Sequence, residues 1–186
     1  LPLIQHLSER PGKPPVRRVR ALILSPTREL AAQIHENILA YARGLHLSTA
    51  VIFGGVGYAP QFKELAGGLD ILVATPGRLI DHLERRTVSL DSVETLILDE
   101  ADHMLDMGFA PALKKIVSRI PEKRHTQMFS ATMPENIRQL AQTLLQEPET
   151  VRVSPPSSTA DRVEQFLCMV GSQAEKGPLP CCLLYT

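Results

Sequence analysis

The feature that most constrains the fold is a short apolar run over residues 93–98, which stops at the adjacent carboxylates of Asp99 and Glu100. A third carboxylate, Asp102, lies three residues beyond Asp99. The run is aliphatic or β-branched and almost uncharged, which favours a strand that is buried on both faces of a parallel sheet. Because ligands bind at the carboxyl ends of the strands in open α/β sheets, the acids are expected at a functional edge.

The acids by themselves leave two interpretations open. Acidic residues are common at solvated helix starts, where a carboxylate interacts favourably with the helix dipole. The buried strand before them favours a nucleotide site, because an Asp that ends such a strand holds the magnesium ion of ATP in P-loop nucleotide hydrolases. Glu100, the next residue, would then be placed to orient a water molecule.

Length and charge limit the class of protein. At 186 residues the chain suits one domain with a core of reasonable size. Its 20 basic and 20 acidic residues cancel, so any contact with phosphate groups would have to be local. No apolar run approaches the roughly 18 residues of a membrane-spanning helix, and we therefore expect no membrane association.

The cysteines and histidines indicate neither a disulfide framework nor a metal site. Cys168, Cys181 and Cys182 lie close to the end of the chain and are too few for a disulfide framework, which favours free thiols and a cytoplasmic location. The six histidines are scattered, and none forms a pair with metal-ligand spacing. We expect the histidines at the surface or at helix ends.

Strand-like and helix-like segments alternate along the chain. This alternation predicts an α/β domain whose parallel sheet has helices on both faces. The ends of all its strands would share one edge, which is the predicted working surface. The other predicted strands are residues 21–24, 49–53, 70–74, 126–129 and 150–153, and helical patterns cover residues 1–7, 30–38, 111–118 and 135–145.

Taken together, the segments at the strand ends resemble the motifs of the first RecA-like domain of a DEAD-box ATP-dependent RNA helicase of the bacterial type. The resemblance implies an α/β fold of the RecA-like P-loop NTPase class over residues 1–153. Each motif is common alone, whereas their order and spacing are specific. The matching segments are residues 26–30 for motif Ia, Gly54 and Gly55 for the glycine doublet, residues 75–79 for motif Ib, residues 99–102 for motif II and residues 130–132 for motif III.

The resemblance implies ATP and Mg²⁺ as cofactors and RNA as the partner. In the family pattern, Asp99 would hold magnesium and Glu100 would orient or deprotonate the attacking water, so both acids would serve ATP binding. Asp102, Ser130 and Thr132 would link ATP hydrolysis to strand separation. The RNA sugar-phosphate backbone would be held, independently of its sequence, by Pro26, Thr27, Arg28, Glu29, Gly54, Gly55, Thr75, Pro76, Gly77 and Arg78.

The chain also departs from the family pattern at both ends. No Gly-x-x-x-x-Gly-Lys-Ser/Thr segment is present to cradle a triphosphate, and residues 1–4 resemble the helix that follows such a loop. Residues 154–160 have the composition of a linker. Residues 161–186 resemble the start of a second helicase domain or an aberrant tail. We therefore expect a domain that is incomplete at its N-terminus and that does not turn over ATP by itself.

Two other functions remain open at this stage. A non-catalytic RNA-binding or partner-docking module would use motifs Ia and Ib without ATPase activity. A magnesium-dependent hydrolase would use the acids at residues 99–102 to cleave a phosphate ester without ATP. Locally, Arg28 and Arg78 could be solvated helix residues, the glycine doublet could be only a tight turn, and Ser130 and Thr132 could be only helix caps.

Overall fold

The computed structural model describes residues 1–10, 12 and 14–152, of which Leu1–Pro148 form one compact unit. Strands and helices alternate in these residues, as the sequence predicts. The strands are β1 (Val19–Leu24), β2 (Thr49–Ile52), β3 (Leu69–Ala74), β4 (Thr95–Leu98) and β5 (His125–Met128). The helices are α1 (Pro2–Ser8), α2 (Arg28–Tyr41), α3 (Tyr58–Leu65), α4 (Pro76–Glu84), α5 (Ala101–Asp106), α6 (Ala110–Val117) and α7 (Glu135–Leu144).

The strands form one sheet in the order β2-β3-β1-β4-β5, and every neighbouring pair is parallel. Leu22 of β1 pairs with Leu72 of β3 on one side and with Leu96 of β4 on the other. All six residues of β1 and all six of β3 are buried, because both strands are central and covered on both faces. The predicted parallel sheet is confirmed, and all the strand ends share one edge.

Alternate residues along the strands pack against helices on opposite faces of the sheet. Ala21 and Ile23 of β1 belong to a cluster with Ile4 of α1 and Ile38 of α2. Leu22 and Leu24 belong to a larger cluster on the other face. That cluster includes Leu65 of α3, Leu79 of α4, Met104 of α5, Leu113 of α6 and Leu144 of α7. The predicted cover of helices on both faces is therefore confirmed.

The structure differs from the sequence prediction in several places. The sequence does not predict α3 and α5. The strand predicted over residues 150–153 is wrong for residues 150–152, which belong to no strand, and Val151 is 87% exposed. Residue 153, the linker predicted over residues 154–160 and the segment 161–186 lie outside the described residues.

One histidine also departs from the prediction. His82 lies in the last turn of α4, where a helix-end histidine was expected, but it is completely buried. Among the described helices, none has the length and apolar character needed to cross a lipid bilayer.

Candidate functional site

The acidic segment after β4 is held between the ends of its two neighbouring strands. The amide of Asp99 donates to the carbonyl of Leu24, at the end of β1, over 3.0 Å. The amide of Ala101 donates to the carbonyl of Phe129, directly after β5, over 3.0 Å. Asp99 is half-buried, whereas Glu100 is exposed. The predicted position of both acids, at the carboxyl edge of the sheet, is thus where the structure has them.

The carboxylate of Asp99 has an environment that suits a bound cation. Burial raises the pKa of Asp99, the charge of Glu100 raises it further, and a hydrogen bond from the Glu100 amide to Oδ1 (3.1 Å) only partly offsets them. Within the described residues, no group of three or more His, Cys, Asp or Glu side chains could enclose a metal. Asp99, half-buried at the edge of the sheet, is the carboxylate here that could act as one ligand of a cation that also binds water and phosphate oxygens.

Replacing Asp99 with Asn is expected to raise the melting temperature at pH 7. The pKa of Asp99 lies above its ordinary value of 3.8 in the folded chain, so the ionised carboxylate weakens folding once the pH rises past that value. Asn carries no charge and can still accept the hydrogen bond from Glu100. A melting temperature above that of the wild type is expected in thermal melts at pH 7 without metal.

The control for this prediction is Glu122→Gln, which removes an exposed carboxylate from a loop. It should leave the melting temperature unchanged at pH 7. The gain for Asp99→Asn should disappear near pH 3, where most of the Asp99 carboxyl is protonated. A gain of the same size at pH 3 and pH 7 would contradict the electrostatic explanation.

Glu100 has a strained backbone. Its φ of 51° and ψ of 54° place it in the left-handed region, which a residue with a Cβ adopts at a cost of about 1–3 kcal/mol. Its carboxylate Oε2 lies 3.2 Å from Nδ1 of His103, one turn further along α5. Because such strain clusters at active sites, the backbone geometry supports a functional role for this side chain.

Asp102 joins α5 to the segment that follows β5. Its Oδ2 accepts hydrogen bonds from the amide (2.8 Å) and the hydroxyl (2.7 Å) of Thr132, and the Ser130 hydroxyl donates to the Thr132 carbonyl (2.6 Å). Burial opposes the charge of Asp102, but the hydrogen bonds from Thr132 and from the His103 amide outweigh it, so its pKa is lowered. The structure thus brings together the three residues that the sequence predicts as a link.

The start of α2 lies beside the glycine doublet. The Thr27 hydroxyl caps α2 by accepting from the Leu30 amide over 3.2 Å, which confirms the predicted helix start. The Arg28 side chain is 63% exposed and pairs with Glu29 at 2.6 Å. Gly55 has a φ of +82°, and a Cβ added there would lie 3.3 Å from Nη1 of Arg28. Motif Ia and the glycine doublet therefore form one continuous surface.

The start of α4 contacts the same turn, but most of its predicted RNA-binding side chains are buried. Arg78 is only 8% exposed, and its Nη2 donates to the Val56 carbonyl over 2.7 Å. Gly77 is exposed. Among all the residues that the sequence predicts to bind RNA, the buried ones are Pro26, Thr75, Pro76 and Arg78. The exposed ones are Arg28, Glu29, Gly54, Gly55 and Gly77.

The sequence analysis misses two buried polar residues behind this surface: Gln61, which donates to the Phe53 carbonyl, and His82, which contacts Gln61. The spacing of α4 contained the signal for one of them. His82 lies three residues after Leu79, which puts the two side chains on the same face of the helix. Because Leu79 is an obvious core residue, His82 could have been expected to face the core.

The geometry agrees with comparisons to known proteins. A model of the DEAD/DEAH box helicase family matches residues 1–140. The chain belongs to this family. It is 40% identical to the ATP-dependent RNA helicase CshA of Listeria monocytogenes, over 91% of this chain and 32% of that protein. It is 50% identical to DEAD-box ATP-dependent RNA helicase 46 of Arabidopsis thaliana, over 78% of this chain and 25% of that protein.

Solved DEAD-box structures have the same fold. A DEAD box protein from Methanococcus jannaschii superposes with a TM-score of 0.71 and 40% identity, over 78% of this chain and 38% of that chain. The yeast DEAD-box splicing factor Prp28 superposes with a TM-score of 0.72 and 37% identity, over 78% of this chain and 35% of that chain. The RecA-like fold class predicted from the sequence is confirmed. This DEAD-box chain spans about a third or less of the length of the curated relatives it matches.

Proposed function

We propose that this chain supplies the magnesium-binding acid, the water-orienting acid and part of the RNA-binding surface of an enzyme that couples ATP hydrolysis to the unwinding of RNA duplexes. The observation that carries the proposal is the direct link between Asp102 and Thr132, because it connects the acidic segment after β4 to the segment after β5. The acidic segment and the segment after β5 could then move together.

The acids have separate roles in this proposal. Asp99 would hold Mg²⁺, which would neutralise charge on the phosphates of ATP. Glu100, exposed and one residue further on, would orient the attacking water and accept its proton. Asp102 would act through Thr132 and would not contact the nucleotide. A cytoplasmic location is part of the same proposal, and it is supported by the scarcity of cysteines.

RNA would bind across the starts of α2 and α4 and the glycine doublet. Arg28 carries an exposed positive charge on a long side chain beside Gly55. The helix starts and the turn offer backbone N–H groups to phosphates. Contacts of this kind reach phosphates and sugars but not base edges. Binding should therefore be insensitive to RNA sequence and should weaken as the salt concentration rises.

Replacing Arg28 with Ala is expected to weaken binding of single-stranded RNA to this chain by about tenfold, the size of one lost charge-assisted hydrogen bond. The slope of log affinity against log salt concentration should become shallower by about 0.7, since one phosphate contact to a single strand is lost. Fluorescence anisotropy of a labelled oligonucleotide at several salt concentrations measures both quantities.

The matched control is Arg43→Ala, which removes an exposed arginine just after the other end of α2. This variant should keep the affinity and the salt slope of the wild type. Equal losses for Arg28→Ala and Arg43→Ala would contradict a local RNA site. Tight binding to one RNA sequence alone would contradict a site made of backbone contacts.

A non-catalytic RNA-binding module is the second candidate. It is favoured by one observation, because the exposed Arg28 beside Gly55 forms a surface suited to phosphates that does not itself include the acidic segment. In that case ATP would not change the RNA affinity of the chain. An RNA titration repeated with saturating ATP and Mg²⁺ distinguishes the two candidates.

A further inference from the structure

The turn over residues 54–57, called here the glycine turn, has free backbone donors on an open side. Residues 54 and 55 form a turn, and within the described residues no hydrogen bond uses the amides of Gly54 or Gly55. These residues are exposed, and a Cβ added at Gly54 would meet nothing within 4 Å. Successive free amides in a turn form a concave site for an anion, provided that the turn keeps one conformation.

Two buried side chains hold the carbonyl groups of this turn from inside the protein. Nε2 of Gln61 donates to the carbonyl of Phe53, directly before the turn, over 3.1 Å. Nη2 of Arg78 donates to the carbonyl of Val56, inside the turn, over 2.7 Å. A peptide plane whose carbonyl is fixed cannot rotate freely. The amide that shares each plane, that of Gly54 or that of Gly57, is therefore fixed as well.

His82 lies behind Gln61 and orients it. Its Nε2 is 3.1 Å from Oε1 of Gln61, and its Nδ1 is 2.9 Å from the Thr87 hydroxyl. Because the amide nitrogen of Gln61 donates to Phe53, its Oε1 is left to accept, and the His82 tautomer with a proton on Nε2 is the one that can donate to it. Reversing the Gln61 amide would bring its oxygen against the Phe53 carbonyl. Each hydrogen bond from His82 through Gln61 to the Phe53 carbonyl therefore has a defined donor and acceptor, and the Gln61 amide is held in one orientation.

Arg78 makes the same turn costly to rearrange. Its guanidinium lies 4.1 Å from the centre of the Tyr58 ring, and its Nη1 is buried without a hydrogen-bond partner. The Tyr58 hydroxyl in turn donates to Asp81 over 2.9 Å. A buried cation that is only partly paired is unfavourable by itself. Its hydrogen bond to the Val56 carbonyl is therefore costly to break, and this stabilises one conformation of the turn. The Tyr58 ring stabilises the cation further.

We propose that Gln61, oriented by His82, is a positioning residue for RNA binding. It fixes the Phe53 peptide so that the free amides of the glycine turn and the Arg28 guanidinium face the same phosphate group. This inference rests on the proposed RNA-binding function, but the effect on the turn can be measured without RNA. Neither Gln61 nor His82 contacts RNA in this arrangement, because both are buried.

The test replaces Gln61 with Met, which has a similar size and no hydrogen-bonding amide. In the 186-residue chain, the affinity for labelled single-stranded RNA is expected to fall by about tenfold. Without RNA, the NMR order parameters of the backbone amides at residues 54–57 are expected to fall, while those in α6 stay unchanged. His82→Leu should cause the same two changes in smaller measure, and His82→Gln, which keeps a donor toward Gln61, should restore part of the affinity.

Ile4→Val is the control for a general loss of stability, because Ile4 is buried on the opposite face of the sheet. It should lower the melting temperature without changing RNA affinity or the order parameters of the turn amides. A folded Gln61→Met or His82→Leu variant with wild-type RNA affinity would overturn the proposal. If the wild-type chain binds no RNA, the proposed function fails, and the order parameters alone decide the positioning role: unchanged order parameters at the turn in both variants overturn it.

Discussion

Replacing Glu100 with Gln is expected to lower the kcat of ATP hydrolysis in the natural protein by at least about a hundredfold, the usual contribution of a general base. Gln has the size and the hydrogen-bonding oxygen of Glu but cannot accept a proton from water at neutral pH. Asp99 is left in place, so ATP and magnesium should still bind. Phosphate release at saturating ATP and RNA measures the effect, and RNA affinity should be unchanged.

Glu122→Gln is the matched control. It removes an exposed carboxylate from the loop before β5, whereas the acidic segment follows the end of β4. Its ATP hydrolysis should equal that of the wild type. A loss of less than threefold for Glu100→Gln would mean that another group handles the water.

The sheet could be predicted because burial on both faces leaves a clear sequence pattern. The apolar runs at residues 21–24 and 70–74 became β1 and β3, whose every residue is buried. Residues 150–153 are β-branched at three of four positions, but a strand exists only where a neighbour completes its hydrogen bonds. Residues 150–152 belong to no strand, and their β-branched composition was therefore misleading.

The helix α3 was missed because its third residue, Pro60, resembles a helix breaker. Proline in the first turn of a helix interrupts no internal hydrogen bond, because the amides there have no partner in any case. The helix α5 is only six residues long, and it begins directly after Glu100, whose backbone has a left-handed conformation. No local pattern predicts a helix of that length, since its stability comes from the packing of Ala101 and Met104.

The candidate site was predictable where it depends on strand ends and unpredictable where it depends on packing. Asp99 follows a buried strand, so its position at the sheet edge could be inferred from the sequence. The burial of Arg78 could not, because a helix-start arginine usually faces solvent. Its contact with Val56 depends on how α4 and the glycine turn meet across β2 and β3, which only the folded chain determines.

Breaking the link between Asp102 and Thr132 is expected to separate duplex unwinding from ATP hydrolysis. In the natural protein, Asp102→Ala should slow unwinding of a short RNA duplex by about tenfold or more, the size of a typical coupling between two sites. ATP hydrolysis should fall much less, because Asp99 and Glu100 are unchanged. Because the pKa of Asp102 is lowered, its carboxylate stays ionised at all pH values used in such assays.

A double-mutant cycle separates this link from other effects of the substitution. Thr132→Val removes the hydroxyl donor and keeps the amide, so it should slow unwinding in the wild type but have little further effect in Asp102→Ala. A coupling of about 0.5–3 kcal/mol is expected for residues in direct contact. Thr143→Val, in α7, removes a hydroxyl that bonds only within its own helix and serves as the control. Additive losses, or equal losses of unwinding and ATP hydrolysis, would contradict a linking role.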